Sequence, residues 1–170
     1  FPLSMVARKL GPALAVGCTV IVRPSREAPL SSLELIKLMD EIGFPKGVVN
    51  LLIGGTNEIV GPIMDSKTVR KVTFTGSTDV GKILVKQAAN TLKRVSMELG
   101  GHAPFIVFED ADLDLAVEGA IKSKFSSAGQ QCVCSNRIYV HETIYEEFAR
   151  KFTERSKALV VGDGIDESTN

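Results

Sequence analysis

The sequence predicts an α/β fold with a parallel sheet, and three observations carry that prediction. Five short apolar runs rich in β-branched residues recur along the chain. They read as continuous apolar stretches, the pattern of strands buried on both faces, which favours parallel pairing. Segments with apolar residues at helical spacing lie between them, so strand and helix alternate with right-handed crossovers.

The first run is Cys18–Val22, with Cys18 read as a core residue. Ser31-Ser32-Leu33-Glu34 then fits a capping box, with Ser31 as cap and Glu34 reaching back. That helix is expected to reach Ile42 and stop at Gly43, with Pro45 just beyond. Val48–Ile53 and Lys71–Thr75 are the next strands. A helix is expected to open at Ser77 or Thr78 and to carry Val80, Ile83 and Leu84. Lys93–Glu98 is a weaker strand candidate, alternating at Val95 and Met97. Phe105–Phe108 precedes a helix over 112–125 with Leu113, Ala116, Val117, Ala120 and Ile121 at helical spacing. After the run Arg137–His141, Thr143 with Glu146 fits a second capping box, opening a helix that buries Phe148 and Phe152.

Composition narrows the function. The 170 residues hold 20 basic and 20 acidic side chains, so the formal net charge is zero and no basic excess argues for nucleic acid. The longest uncharged apolar-rich stretch, Gly11 to Val22, is too short for a bilayer and contains Pro12, so no membrane partner is expected. Three cysteines argue against a secreted disulfide framework and for a reducing compartment, here taken as the cytoplasm. The chain begins at Phe1 and reads as a piece of a longer protein. A composition shift at Gly100-Gly101 suggests two parts, residues 1–100 and 101–170.

Three motifs could carry chemistry. Phe74-Thr75-Gly76-Ser77-Thr78-Asp79-Val80-Gly81 follows a strand and opens a helix. Unpaired N–H groups at Gly76 and Ser77, with the positive end of the helix dipole, would seat a phosphate. The plainer alternative is a glycine turn with an ordinary Ser or Thr cap. Glu98-Leu99-Gly100-Gly101 puts a carboxylate at a strand end, where open α/β sheets bind ligands; a surface glutamate is the alternative. Gly129-Gln130-Gln131-Cys132-Val133-Cys134 offers a thiol nucleophile, against a buried structural cysteine. Cys-x-Cys is too close-set for zinc, so no metal is expected. His102 and His141 have no evident acid partner, and His141 is read as a surface residue. Cys132 and Cys134 can close a strained disulfide if the loop bends, which would make Cys134 a redox partner; the alternative is that Cys134 points into the core.

In this order, Phe74–Gly81, Met97-Glu98-Leu99-Gly100-Gly101 and Gly129-Gln130-Gln131-Cys132 resemble the aldehyde dehydrogenase superfamily over essentially the whole chain. Arg23-Pro24, after an apolar strand, resembles that family's Lys-Pro element. Ala103–Phe108 and Cys132–Arg137 look most like the succinate-semialdehyde-oxidising branch. The resemblance implies a Rossmann-like parallel sheet with helices on both faces, followed by the start of a second α/β catalytic domain. It implies that Cys132 attacks the aldehyde carbon and that Glu98 activates water to release the acid, the two converging in one cavity between the parts. It implies cofactor contacts from Arg23, Pro24, Ser25, Arg26, Gly54, Phe74, Thr75, Gly76, Ser77, Leu99 and Gly100. The oxyanion-donating Asn before a Phe-Pro and a second cofactor-binding Glu fall outside the sequence.

Departures carry information. Arg23 stands for the usual Lys, Gln131 for a common Thr, and His102 for a common Asn, Leu or Lys. Arg8 sits where the semialdehyde branch has one carboxylate-binding Arg. Ser126 stands where it has the other, and one hydroxyl there predicts weaker carboxylate binding. Arg26 replaces a Glu that holds the ribose hydroxyls in NAD-preferring members. A guanidinium attracts a 2′-phosphate, so NADP is expected to bind at least as well as NAD. The expected partners are a small aldehyde and, at full length, further copies of the chain. Another aldehyde (glutarate semialdehyde or lactaldehyde), a non-catalytic dinucleotide-binding fragment, and a cofactor-free thiol hydrolase remain as rival readings. The phosphate seat speaks against the last.

Overall fold

A computed structural model describes residues 1–169, which divide into two compact units, one over Phe1–Leu99 and one from Gly100 onward.

The first unit opens with α1, Pro2–Ala15. Proline suits this helix start because its missing N–H would be unpaired there anyway. No helix was expected from the sequence here, since Gly11 and Pro12 punctuate the spacing. Strand β1 (Val20–Val22) runs parallel to β2 (Val49–Leu51), with Val20 opposite Val49 and Val22 opposite Leu51. Cys18 precedes β1 in the turn after α1 and is exposed, not core. Helix α2 (Leu30–Glu41) makes the crossover, with Pro29 at the N-cap position and no side-chain cap bond. The capping box expected at Ser31 is therefore absent. The chain enters the helix at proline, which puts Ser31 inside the first turn, and Glu34 pairs with Lys37 instead. The helix ends as expected before Gly43, whose φ of 82° few other residues adopt at low cost.

Helix α3 (Thr56–Asp65) has no counterpart in the sequence expectation, because Gly55, Gly61 and Pro62 mask its spacing. Strand β3 (Lys71–Thr75) pairs in parallel with β4 (Arg94–Glu98) in a register that sets Thr75 opposite Glu98. Between them runs α4, Thr78–Ala89. Met64, Leu84 and Ala88 form the core here, with Val72, Phe74 and Met97 packed against it. Burial on both strand faces does not hold for β3. Val72 and Phe74 are half-buried while Lys71, Thr73 and Thr75 are exposed, because within this chain the apolar packing lies on one face only. The buried Lys93 donates its ammonium to the carbonyls of Ser66 and Val69.

In the second unit β5 (Ala103–Val107) pairs in parallel with β6 (Ser135–Val140). Ala103 faces Ser135 but Pro104 faces Arg137, so Asn136 is an extra, bulged residue. Helix α5 (Leu113–Phe125) is capped by Asp112, which accepts from the N–H groups of Asp114 and Leu115 at 3.1 Å. Helix α6 (Tyr145–Lys157) is not opened by the Thr143–Glu146 box. A short 3₁₀ turn, Glu142–Ile144, intervenes. Thr143 gives its N–H to His141 Nδ1, and its hydroxyl lies 2.9 Å from the same nitrogen. His141 also has the acid partner the sequence did not reveal: its Nε2 lies 2.7 Å from Glu109 Oε2. Val107, Val117, Ala120, Ile121 and Phe148 form this unit's core, with Phe152 stacked on Phe148.

The strands thus form three parallel pairs, and strand and helix alternate as the sequence predicted except that β4 leads directly into β5. Among the described residues no helix is long and apolar enough to cross a membrane.

Candidate functional site

Three local constructions hold the residues singled out by the sequence. The first lies where β1 and β2 end. Arg23, Pro24, Ser25 and Arg26 leave β1, Leu52, Ile53 and Gly54 leave β2, and together with Gly55 and Thr56 they line a cleft of about 360 Å³. Both strands point their carboxyl ends at it, the usual ligand position in open α/β sheets. Arg23 Nη2 donates to Thr56 Oγ1 at 2.6 Å, while Arg23 Nε is buried without a partner. A buried unpaired donor is costly and suits a site that takes an acceptor group. Ser25 Oγ accepts from the Glu27 N–H, and Arg26 is exposed. Thr56 escaped the sequence reading, because it heads a helix whose spacing glycines obscure.

The second construction is the head of α4. Gly76 donates its N–H to the Glu98 carbonyl at 3.1 Å, which ties the turn to the end of β4; that N–H is therefore not the unpaired phosphate donor expected from the sequence, and the seat is left to the N–H groups that follow it. Ser77 caps the helix, its Oγ accepting from Val80 N–H at 3.4 Å. A side chain at position 76 would collide with the Phe74 ring, which would have to shift to admit it. Lys9 reaches from α1 to donate to Thr75 Oγ1 at 2.7 Å, a contact that nothing in the sequence signals. Glu98 is exposed at its strand end, directly opposite Thr75. The next residue, Leu99, packs its side chain on Gly81 of α4. Gly100 has open space around it. Arg8 is exposed on α1.

The third construction is the loop from α5 to β6. Ser126 ends α5 with its hydroxyl donated to the Lys122 carbonyl at 2.6 Å. Ser127, Ala128 and Gly129 follow with φ of 53°, 56° and 71°, three left-handed residues in a row. Gln130 donates its N–H back to Ser127. Cys134 N–H then bonds the Gln131 carbonyl at 3.1 Å, closing a turn with Cys132 and Val133 at its corners, both exposed. Cys134 is buried and gives its thiol proton to the Lys124 carbonyl at 3.2 Å. All three cysteines are free thiols. The two nearest in sequence occupy opposite environments, one at a solvent corner and one turned inward. Among the described residues no group of His, Cys, Asp and Glu could hold a metal ion.

The sequence profile of the aldehyde dehydrogenase family matches residues 1–170. The chain is 52% identical to the NADP(+) succinate-semialdehyde dehydrogenase of Saccharomyces cerevisiae, over 99% of this chain and 34% of that protein. It is 53% identical to the 3-sulfolactaldehyde dehydrogenase of Pseudomonas putida, over 98% of this chain and 34% of that protein. A crystal structure of succinate-semialdehyde dehydrogenase from Burkholderia pseudomallei superposes with a TM-score of 0.93 at 50% identity, covering 99% of this chain and 35% of that one. The chain thus spans about one third of the length of the relatives it matches.

Proposed function

Since the chain belongs to the aldehyde dehydrogenase family, we propose that the protein carrying it oxidises a semialdehyde, such as succinate semialdehyde, to the carboxylic acid with NADP or NAD. The observation that supports this best is the exposed Cys132 at the corner of a closed turn, inside Gly129-Gln130-Gln131-Cys132.

Cys132 is the nucleophile. Its thiolate adds to the aldehyde carbon and gives a thiohemiacetal, which splits a hard oxidation into easier steps. The Cys132 N–H serves as one donor to the developing oxyanion. A bound nicotinamide dinucleotide supplies the hydride acceptor. The thioester left on Cys132 is hydrolysed by water that Glu98 deprotonates, help worth roughly 10²–10⁴-fold.

The residues present fit a dinucleotide. The cleft at β1 and β2 offers the unpaired Arg23 Nε and the exposed Arg26 guanidinium, both suited to phosphate or ribose oxygens. The head of α4 offers backbone N–H groups and the positive helix end, suited to a pyrophosphate. Arg26 favours NADP at least as much as NAD, which accords with the NADP(+) relative from Saccharomyces cerevisiae. Arg8 binds the far carboxylate of the substrate, and the Ser126 hydroxyl, whose proton goes to the Lys122 carbonyl, adds a weaker contact only after turning away from it. The protein works in a reducing compartment such as the cytoplasm, assembled with further copies of itself.

The test uses the full-length protein. Cys132→Ala is expected to abolish aldehyde oxidation, and Glu98→Gln to stall as an acyl-enzyme visible by intact mass. Rapid turnover by Cys132→Ala would sink the assignment.

A further inference from the structure

We propose that Lys124 is a positioning residue for Cys132, holding the exit of the strained loop that presents the thiol. The inference rests on Cys132 being the nucleophile, as proposed above.

Ser127 and Ala128 are left-handed, an unfavourable backbone for residues with a Cβ, and such strain persists only where the surroundings over-determine it. Lys124 holds the far end of this loop through two different groups. Its carbonyl accepts the Cys134 thiol at 3.2 Å, just after the turn that carries Cys132. The same carbonyl lies beside Gly129, where an added Cβ would come within 3.1 Å of it. Its ammonium donates to Asn136 Oδ1 at 2.5 Å and lies 3.6 Å from Cys134 Sγ. Asn136 is the extra residue at the β5–β6 register shift, and a bulge re-aims a side chain.

The exit of the loop is therefore tied to one residue at the end of α5, the helix that the loop leaves. Cys132 sits just before that exit, on the turn closed by Gln131 and Cys134. Attack on a carbonyl needs the sulfur in a narrow range of positions, and a misplacement near 1 Å costs on the order of 10²-fold. Without the ammonium, Asn136 and the Cys134 sulfur lose their common partner and the exit of the turn is released.

The experiment uses the full-length enzyme with Lys124→Met, which keeps the stem, Lys124→Arg, which keeps the charge, and Asn136→Ala. Kinetics give kcat and KM. Alkylation by iodoacetamide is read by mass at the Cys132 peptide across pH. Lys124→Met is expected to lower kcat and the plateau alkylation rate together, about tenfold or more, with the KM for cofactor unchanged. Lys124→Arg restores most of both. Should Lys124→Met fail to fold, Asn136→Ala decides, with the same joint fall expected. Parent-like kcat and alkylation in these variants, with Cys132→Ala inactive, overturns the positioning role and leaves the nucleophile standing. A shifted pH midpoint with an unchanged plateau also overturns it, since that is a charge effect and not a placement. Turnover by Cys132→Ala overturns the nucleophile itself.

Discussion

The loop at the head of α4 and the loop after α5 both join regular elements and both carry candidate site residues, yet they are built by different means. The first uses the backbone. A glycine closes the turn onto the Glu98 carbonyl and a serine caps the helix. No residue from Phe74 to Ser77 has positive φ. The second has three successive left-handed residues, two of them with side chains, and is held by a thiol, an ammonium and an amide from neighbouring elements. A seat for an anion needs only unpaired N–H groups, which every helix start provides. Presenting a sulfur at a solvent-exposed corner needs contacts that local rules do not supply.

The largest effect that would separate the two loops comes from Gly76→Ala. The new methyl must displace the Phe74 ring, and dinucleotide affinity by fluorescence titration is expected to fall about tenfold, in line with overpacking costs. Alkylation of Cys132 stays at the parent rate; an equal fall there would break the comparison. Next is Arg26→Ala. Arg26 is exposed, so solvent screens it, and the ratio of NADP to NAD affinity is expected to drop about fivefold. An unchanged ratio would remove Arg26 from the cofactor contacts.

A smaller effect contrasts backbone strain directly. Ala128→Gly relieves a left-handed residue and is expected to gain about 0.5–1 kcal/mol, while Thr75→Gly, in an extended strand, loses a similar amount. Denaturant midpoints of the two variants should move in opposite directions. The smallest effect is a pH dependence within the second unit. The hydrogen bond from the Arg155 guanidinium holds the Glu118 carboxyl below its ordinary range. The unfolded chain then takes up the proton first, so this pair stabilises fully above the ordinary carboxylate range. Its contribution is lost as pH falls through the depressed value. Glu118→Gln should flatten the acid side of the stability profile slightly, because the pair is solvent-exposed. An identical profile would show that the pair contributes nothing.

The same contrast explains what could be read from the sequence. Strand Lys71–Thr75, the helix opening after Ser77 and the helix over 113–125 follow from local periodicity and caps, and the structure has them. Two capping boxes failed for a local reason as well: Pro29 and the His141–Thr143 contact each took the chain into the helix by another route. Helices α1 and α3 hid behind prolines, Pro2 at a helix start and Pro12 and Pro62 on exposed faces within the helices. The partners of Thr75, Arg23 and His141 lie far away in sequence, at Lys9, Thr56 and Glu109, and no spacing rule connects them. The Cys132 motif was legible, whereas the side chains that hold its loop became visible only through the fold.

Gly81 and Leu99 form a pair whose volumes are shared. A Cβ at position 81 would lie 2.7 Å from Leu99 Cδ2, so a methyl there would make the tip of the Leu99 side chain turn aside. Leu99 adjoins Glu98, and any widening of that gap carries the carboxylate with it. A methyl added at 81 therefore calls for one removed at 99. Moving volume between these two positions, as in Gly81→Ala with Leu99→Val, gives a designer a handle on the strand end that carries Glu98.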